Sequence, residues 1–184
     1  MAALLITAGC GTTRVGYHTA PYQLVRSAGK FEVRDYPSLT VVETLMAGEE
    51  GNGGFGRLFR FISGSNENAQ KIAMTTPVLM SGDDASRTMS FVLPSNLEAG
   101  RIPKPADASV SVRVIPQGRF AVLRFSGGRS ALREAAALDR LKTWMATEGL
   151  SSSSRPVYGY FDPPWTPPFW RRNEVMLRVE ARTQ

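Results

Sequence analysis

The feature that most restricts the fold is an echo inside the chain. The run Val33-Arg34-Asp35-Tyr36-Pro37 is matched in pattern by Val112-Arg113-Val114-Ile115-Pro116. Each run ends on a proline, the mark of a strand followed by a turn. The echo continues downstream. Thr40 to Met46 and Phe120 to Phe125 read as second strands, and Gly53-Gly54 and Gly127-Gly128 each precede a helix. Lys71 to Met80 and Met89 to Leu93 follow the first helix as strands; Val157 to Phe161 and Val175 to Val179 follow the second. Each half therefore reads β-β-α-β-β. Self-similarity of this length implies an internal duplication and an α+β fold. Two half-sheets join in one curved sheet or barrel, with one helix over each half.

Local signals sharpen the elements. In the first helix, Phe55, Leu58, Phe59 and Ile62 fall at i, i+3, i+4 and i+7, one apolar face closed by Gly64. Arg57, Arg60 and Phe61 fall off that stripe. In the second helix Ser130 is the expected N-cap and Gly149 the residue past the C-cap. Ala135, Leu138, Leu141 and Met145 make its expected stripe, with Leu132 and Trp144 beside it. In Lys71 to Met80, the even-numbered residues from Ile72 to Met80 share one face, and Pro77, lacking an N–H, is expected at an edge or bulge. The aromatics Trp165, Phe169 and Trp170 of the proline loop are expected to pack and close the barrel. Exposed, they would point instead to a partner or a membrane surface.

The 184 residues, 42% of them hydrophobic, suffice for one domain with a real core. That domain is placed at residues 22–184, after an N-terminal stretch at residues 1–21. No apolar run reaches the ~20 residues a spanning helix needs. The net charge of +6 suits an anionic small molecule or anionic lipid headgroups. Lys and Arg are dispersed and no basic helix or aromatic-basic signature occurs, so nucleic acid is not an expected partner. Gly48 to Gly54 lacks the Gly-Lys-Ser/Thr ending of a phosphate loop. The single Cys and single His, Cys10 and His18, both precede the domain, which leaves it no metal-ligand cluster and no Cys-His or Ser-His-Asp constellation.

The first residues, Met-Ala-Ala-Leu-Leu-Ile-Thr-Ala-Gly-Cys-Gly-Thr, end an apolar segment in small residues directly before Cys10. That is how a bacterial lipoprotein signal finishes; cleavage would leave Cys10 as a lipidated N-terminus, anchoring the chain at the cell envelope or leaving it periplasmic. Thr7 stands where Leu is usual and no positive region precedes, so an inert apolar N-terminus is the alternative. Residues 11–21 read as a flexible tether, and His18 as an exposed loop histidine.

Several segments, in order, resemble the SOUL/heme-binding protein family. They are Phe31-Glu32-Val33-Arg34-Asp35-Tyr36-Pro37, Phe61-Ile62-Ser63-Gly64-Ser65-Asn66 and Lys71-Ile72-Ala73-Met74-Thr75-Thr76-Pro77-Val78. Tyr158-Gly159-Tyr160, Asp162-Pro163-Pro164-Trp165 and Arg171-Arg172-Asn173-Glu174-Val175 complete the set. The resemblance covers about Tyr22 to Val179. It implies a distorted SOUL-like, GyrI-like barrel of two similar halves, here a bacterial member, monomeric, binding heme or a related tetrapyrrole as carrier or scavenger. Some members use an axial histidine in the region near Tyr36 to Val42; this chain has none there, so no histidine ligation is expected. Others use a shallow apolar cleft beside the first helix with basic residues on the propionates. The family's helix positions fall on Phe55, Phe59 and Arg60. A basic position in the proline loop falls near Thr166, which is uncharged; Arg171 or Arg172 is the candidate replacement.

A planar macrocycle with two carboxylates needs a flat apolar wall and cations at its rim. Phe55 and Phe59, with Met74 or Met80, are the candidate wall; Arg57 and Arg60, with Arg171 and Arg172, are the candidate rim. The alternative is a GyrI-like small-molecule hydrolase or a tetrapyrrole-modifying enzyme using Glu174, with Glu43 and Tyr36 as further candidates. A buried, unpaired Glu174 would favour the enzyme; a Glu174 paired with arginine would favour a binding protein.

Overall fold

The computed structural model describes residues 18–46, 53–83, 86–97 and 101–180, so Cys10 lies outside the described residues. The first half contains β1 (His18–Thr19), β2 (Gln23–Ala28), β3 (Phe31–Tyr36), β4 (Leu39–Leu45), α1 (Gly53–Ile62), β5 (Thr75–Thr76), β6 (Val78–Ser81) and β7 (Thr88–Val92). The second contains β8 (Val110–Ile115), β9 (Gly118–Phe125), α2 (Ala131–Thr147), β10 (Val157–Tyr160) and β11 (Asn173–Arg178). Both β-β-α-β-β halves are present, with strand ends within a residue or two of the proline and glycine signals.

Nine strands form one antiparallel sheet in the order β2-β3-β9-β11-β10-β6-β7-β4-β8. Numbered within each half, β3 to β8 reads 1-2′-4′-3′-3-4-2-1′. The order is unchanged when the halves are exchanged, so a pseudo-two-fold passes between β10 and β6. Each half lends its first strand to the other. The sheet curls into a half-barrel, open between β2 and β8 rather than closed.

Alternation gives the sheet two apolar faces. Val42, Phe91, Leu123 and Val175 meet Leu58 and Phe61 of α1 and Leu141 and Met145 of α2. Val41, Leu79, Phe120, Val122 and Met176 form a second cluster on the opposite face, with Ala20. α1 rests on β4 and β7, and α2 on β9 and β11, so the central β6 and β10 lie between the helices.

The structure corrects several expectations. Lys71 to Met80 is not one strand: β5 leaves the sheet to pair with β1, Pro77 follows, and β6 joins the sheet. The tether is not wholly loose, since His18–Thr19 pairs in parallel with Thr75–Thr76 and Ala20 is buried. The sequence reading also lacked β2, an edge strand exposed throughout and therefore without apolar alternation. Its signal is the two-residue Gly29-Lys30 turn, with Gly29 at φ 62°, joining Ala28 to Phe31.

α1 is rotated from its expected stripe, and α2 departs from its own at Ala135. α1 buries Gly54, Leu58, Phe61 and Ile62, not Phe55 and Phe59. Gly54 lets the helix start lie close to β4, and a Cβ there would sit 3.4 Å from Met46. Phe61 lies in the core, where a full side chain is worth about 2–3 kcal/mol. In α2, Ser130 is the N-cap, its hydroxyl accepting from the Arg133 N–H. Glu134, Ala137, Leu141 and Met145 are buried, while Ala135 and Leu132 face solvent. Glu134 is held by Arg87 at 2.5 Å and by the Tyr160 hydroxyl, and Trp144 stacks on Phe31 at 5.0 Å; together these set the helix rotation.

Candidate functional site

α1 separates its apolar and basic residues. Phe55 and Phe59, four apart, share one flank and stack nearly parallel, centroids 6.0 Å apart and planes at 13°. They remain 36% and 50% exposed. Phe55 meets Phe91 edge-on at 5.2 Å, which directs this flank to β7 and the central strands. The floor there is Val78 and Met80 of β6 and Tyr160 of β10, and Met74 is half-buried against the same core. From the α2 side, the Arg129 guanidinium reaches Met80 Sδ at 3.4 Å. Phe55 and Phe59 thus flank the sheet face between the helices, with a cation, Arg129, reaching the same face from α2.

Arg57 lies on the other flank. Its Nε donates to Thr44 Oγ1 at 3.0 Å and an Nη to the Leu45 carbonyl at 2.7 Å. Arg60 is more exposed, 3.8 Å from Asp107. Arg57, Arg60, Phe61 and Asp107 line a small cavity of about 170 Å³. The two arginines therefore converge, but beside the aromatic wall rather than around it.

Arg171 and Arg172 are engaged with the proline loop and with Glu174. Arg171 Nε donates to the Thr166 carbonyl at 2.7 Å, and an Nη to that of Pro164, so it clamps the proline loop. Arg172 lies on the sheet face opposite the helices, stacked 4.2 Å over Phe161. Its Nε and an Nη donate to Glu174 Oε1 at 3.0 and 2.6 Å. Arg34, fully buried, holds Glu174 bidentately from the other side, at 2.7 and 2.9 Å. Arg34 also donates to Glu32 at 2.6 Å and to the Tyr36 hydroxyl at 2.9 Å, and Tyr22 covers its guanidinium at 4.2 Å. Arg124 completes the network at 2.9 Å from Glu32.

This network fixes the chemistry of Glu174. Burial alone pushes its pKa up, but the hydrogen bonds and charges of Arg34 and Arg172 overcome this and hold the carboxyl below its ordinary value. It is a deprotonated acceptor facing guanidinium groups, not a raised-pKa acid. Burial pushes Tyr36 up to about 12. Glu43 accepts from Ser90 at 3.0 Å and from Arg113 at 2.6 Å. Glu174 and Tyr36 are thus both shifted away from neutral pH.

The arrangement thus offers an exposed aromatic wall on a helical scaffold and, on the opposite face, a closed ionic network. A model of one family, described as SOUL heme-binding protein, matches residues 17–178. The chain belongs to the SOUL heme-binding family. No curated protein sequence matches it significantly. Among solved structures, the fold is similar to the EcmrR C-terminal domain, at 15% identity and TM-score 0.58 over 87% of this chain and 98% of that one. The EcmrR chain in its DNA complex gives 14% identity and TM-score 0.62 over 82% of this chain, which spans 57% of that longer one. A hydrolase from Listeria innocua gives 12% identity and TM-score 0.61 over 85% and 94% of the two chains. At these identities the likeness is one of fold: the SOUL chain is built on the α+β, GyrI-like half-barrel.

Sequence reasoning missed Arg34, Arg129 and Glu134. Glu134 had a signal, a charged residue three before Ala137 and seven before Leu141 on the buried face. Arg34 and Glu174 are 140 residues apart, and nothing local joins them.

Proposed function

We propose that this SOUL protein binds heme or a related tetrapyrrole non-covalently against the exposed aromatic pair beside α1, as a carrier or scavenger. One observation carries the reading: Phe55 and Phe59 are stacked, rigidly backed by Phe91, and left open to solvent. An aromatic pair that the core does not use forms a flat wall of the kind a macrocycle covers. The residues present fit such a ligand: Phe55 and Phe59 would lie against the ring, with Met74 and Val78 beside them. Arg60 and Arg129 would take the propionates, Arg60 being only loosely engaged. Arg57, already pinned to β4, shapes the helix flank, and Arg171 and Arg172 are committed to the loop and to Glu174. The ring supplies an apolar plane, two carboxylates and, in heme, an iron; no histidine of the domain reaches for it. The paired state of Glu174 supports binding over hydrolysis. Processing at Cys10 would hold this monomeric binder at a bacterial envelope.

The test is an absorbance titration of the full chain with hemin and with metal-free protoporphyrin. Saturable one-to-one binding of both is expected, weakened at least ~10-fold by Phe55→Ala/Phe59→Ala, since wall contacts of this size carry a few kcal/mol. Arg60→Ala should weaken it less. Binding of hemin alone would replace the wall-and-rim reading with ligation of iron by a methionine or tyrosine. No saturable binding, or a double variant that binds like the parent, overturns the site.

A further inference from the structure

One end of the half-barrel carries an exposed aromatic cluster that the proposed α1 site does not use. Trp165, Phe169 and Trp170 are 81%, 69% and 66% exposed, contrary to the expectation that they close the barrel. The loop that presents them is nonetheless well held. Arg171 donates to the carbonyls of Thr166 and Pro164, the Gly127 N–H donates to the Pro168 carbonyl, and Phe169 packs edge-on against Trp170 at 5.0 Å. Backbone bonds fix the loop while its large side chains stay outside. Leu132, on the first turn of α2 at the same end, is also exposed.

The exposed charges at this end are mainly positive. Lys30, in the β2–β3 turn that accepts from the Arg124 N–H, is exposed, and so are Arg129 and Arg133 at the start of α2. The glutamates nearby are paired, Glu32 and Glu174 with the buried Arg34 and Glu134 with Arg87, while Asp162 accepts from the Arg172 backbone N–H. The N-terminal segment enters here as well. His18 pairs opposite Thr75, whose hydroxyl donates to the Val92 carbonyl, at the end where Val78 meets Tyr160.

We propose that this end of the molecule docks on an anionic phospholipid bilayer. Trp165, Phe169 and Trp170 would enter the boundary between headgroups and acyl chains, where amphipathic aromatic rings are favoured. Lys30 and Arg133 would lie over the lipid phosphates. Apolar insertion and cationic attraction reinforce each other, as in interfacial helices. Aromatics on a projecting loop ringed by cations match a flat anionic surface better than the groove of a protein partner, which would leave the surrounding charge unanswered.

The test uses the full chain carrying Cys10→Ser, so that no acyl chain contributes, and Trp144→Phe, so that only Trp165 and Trp170 fluoresce. With vesicles of phosphatidylcholine and phosphatidylglycerol, emission should shift to the blue and be quenched by brominated acyl chains. In co-sedimentation of the Cys10→Ser chain, partition should fall as salt rises, and at least ~10-fold with Trp165→Ser/Phe169→Ser/Trp170→Ser. Lys30→Glu/Arg133→Glu should remove the preference over pure phosphatidylcholine. These side chains are exposed, so thermal melting should be unchanged. Unaltered emission, or equal partition of the aromatic variant, overturns the proposal; the first would leave the cluster to a protein partner, the second would assign binding to the apolar N-terminus.

Discussion

Arg34 and Arg113 occupy equivalent positions in the two halves, on the first strand of each and on the same sheet face. Arg34 is fully buried among Glu174, Glu32, Tyr36 and Tyr22. Arg113 has a side chain 60% exposed and one carboxylate, Glu43, at 2.6 Å. The difference lies in what neighbours the strand. β3 has β2 outside it and Tyr22 over it, whereas β8 is the sheet edge. The partners differ too. Matching Arg34 to Arg113 through the registers matches Phe120 to Val41, Arg124 to Leu45 and Glu174 to Thr88. The first half thus has no counterpart of Glu174. Duplication supplied the scaffold, and each half then put different chemistry on it: a closed ionic network in one place, an open aromatic wall on α1 in another.

The largest expected effect tests the buried member. Arg34→Leu leaves Glu174 and Glu32 buried with fewer cations, and breaking such a pair from one side costs about 3–5 kcal/mol. Urea unfolding followed by circular dichroism should show the loss. Restoring stability by adding Glu174→Met would show that the penalty is the orphaned carboxylate rather than lost packing. A loss below ~1 kcal/mol for Arg34→Leu alone would mean that water reaches the network.

That network also marks what a sequence can and cannot disclose. The duplication, both helices and most strands were legible because proline, glycine and alternation act locally. β2 was not, since an exposed edge strand has no apolar side to announce. The rotation of α1 was not, because Phe55, Leu58, Phe59, Phe61 and Ile62 give two overlapping stripes. The choice between them is made by the tertiary packing of α1 on β4 and β7. Phe55 and Phe59 were therefore assigned to a stripe that the core does not use. The cations were scattered by topology: Arg171 and Arg172, adjacent in sequence, serve a loop clamp and a buried network.

A smaller effect separates the halves by pH. Glu174 has its carboxyl held below the ordinary value of 4.5, with burial opposing and Arg34 and Arg172 prevailing. The unfolded chain therefore takes up this proton first as pH falls. The stabilisation is fully present above about 4.5 and is lost as pH drops through the lowered folded value. Stability of the parent should fall across that acid range, and Glu174→Gln should flatten the slope while lowering stability at neutral pH. An unchanged slope would place the acid sensitivity on other carboxylates, such as Asp35 beside Arg119.

The smallest effect is the sharpest check on equivalence. Arg113→Ala removes a charge-assisted bond that solvent can replace, and exposed pairs of this kind contribute about 0–1 kcal/mol. Its Glu43 partner, 15% exposed, keeps the Ser90 hydroxyl, so the carboxylate is not orphaned. Salt should erode what remains, because screening acts on exposed charges and far less on Arg34. Unfolding midpoints of Arg113→Ala and parent should therefore converge as sodium chloride rises, while the gap between Arg34→Leu and parent stays open. Convergence of both would mean that the network around Arg34 is wetter than its burial implies. Persistence of both would mean that the β8 edge is covered in solution, and the contrast between the halves would then reflect the isolated chain alone.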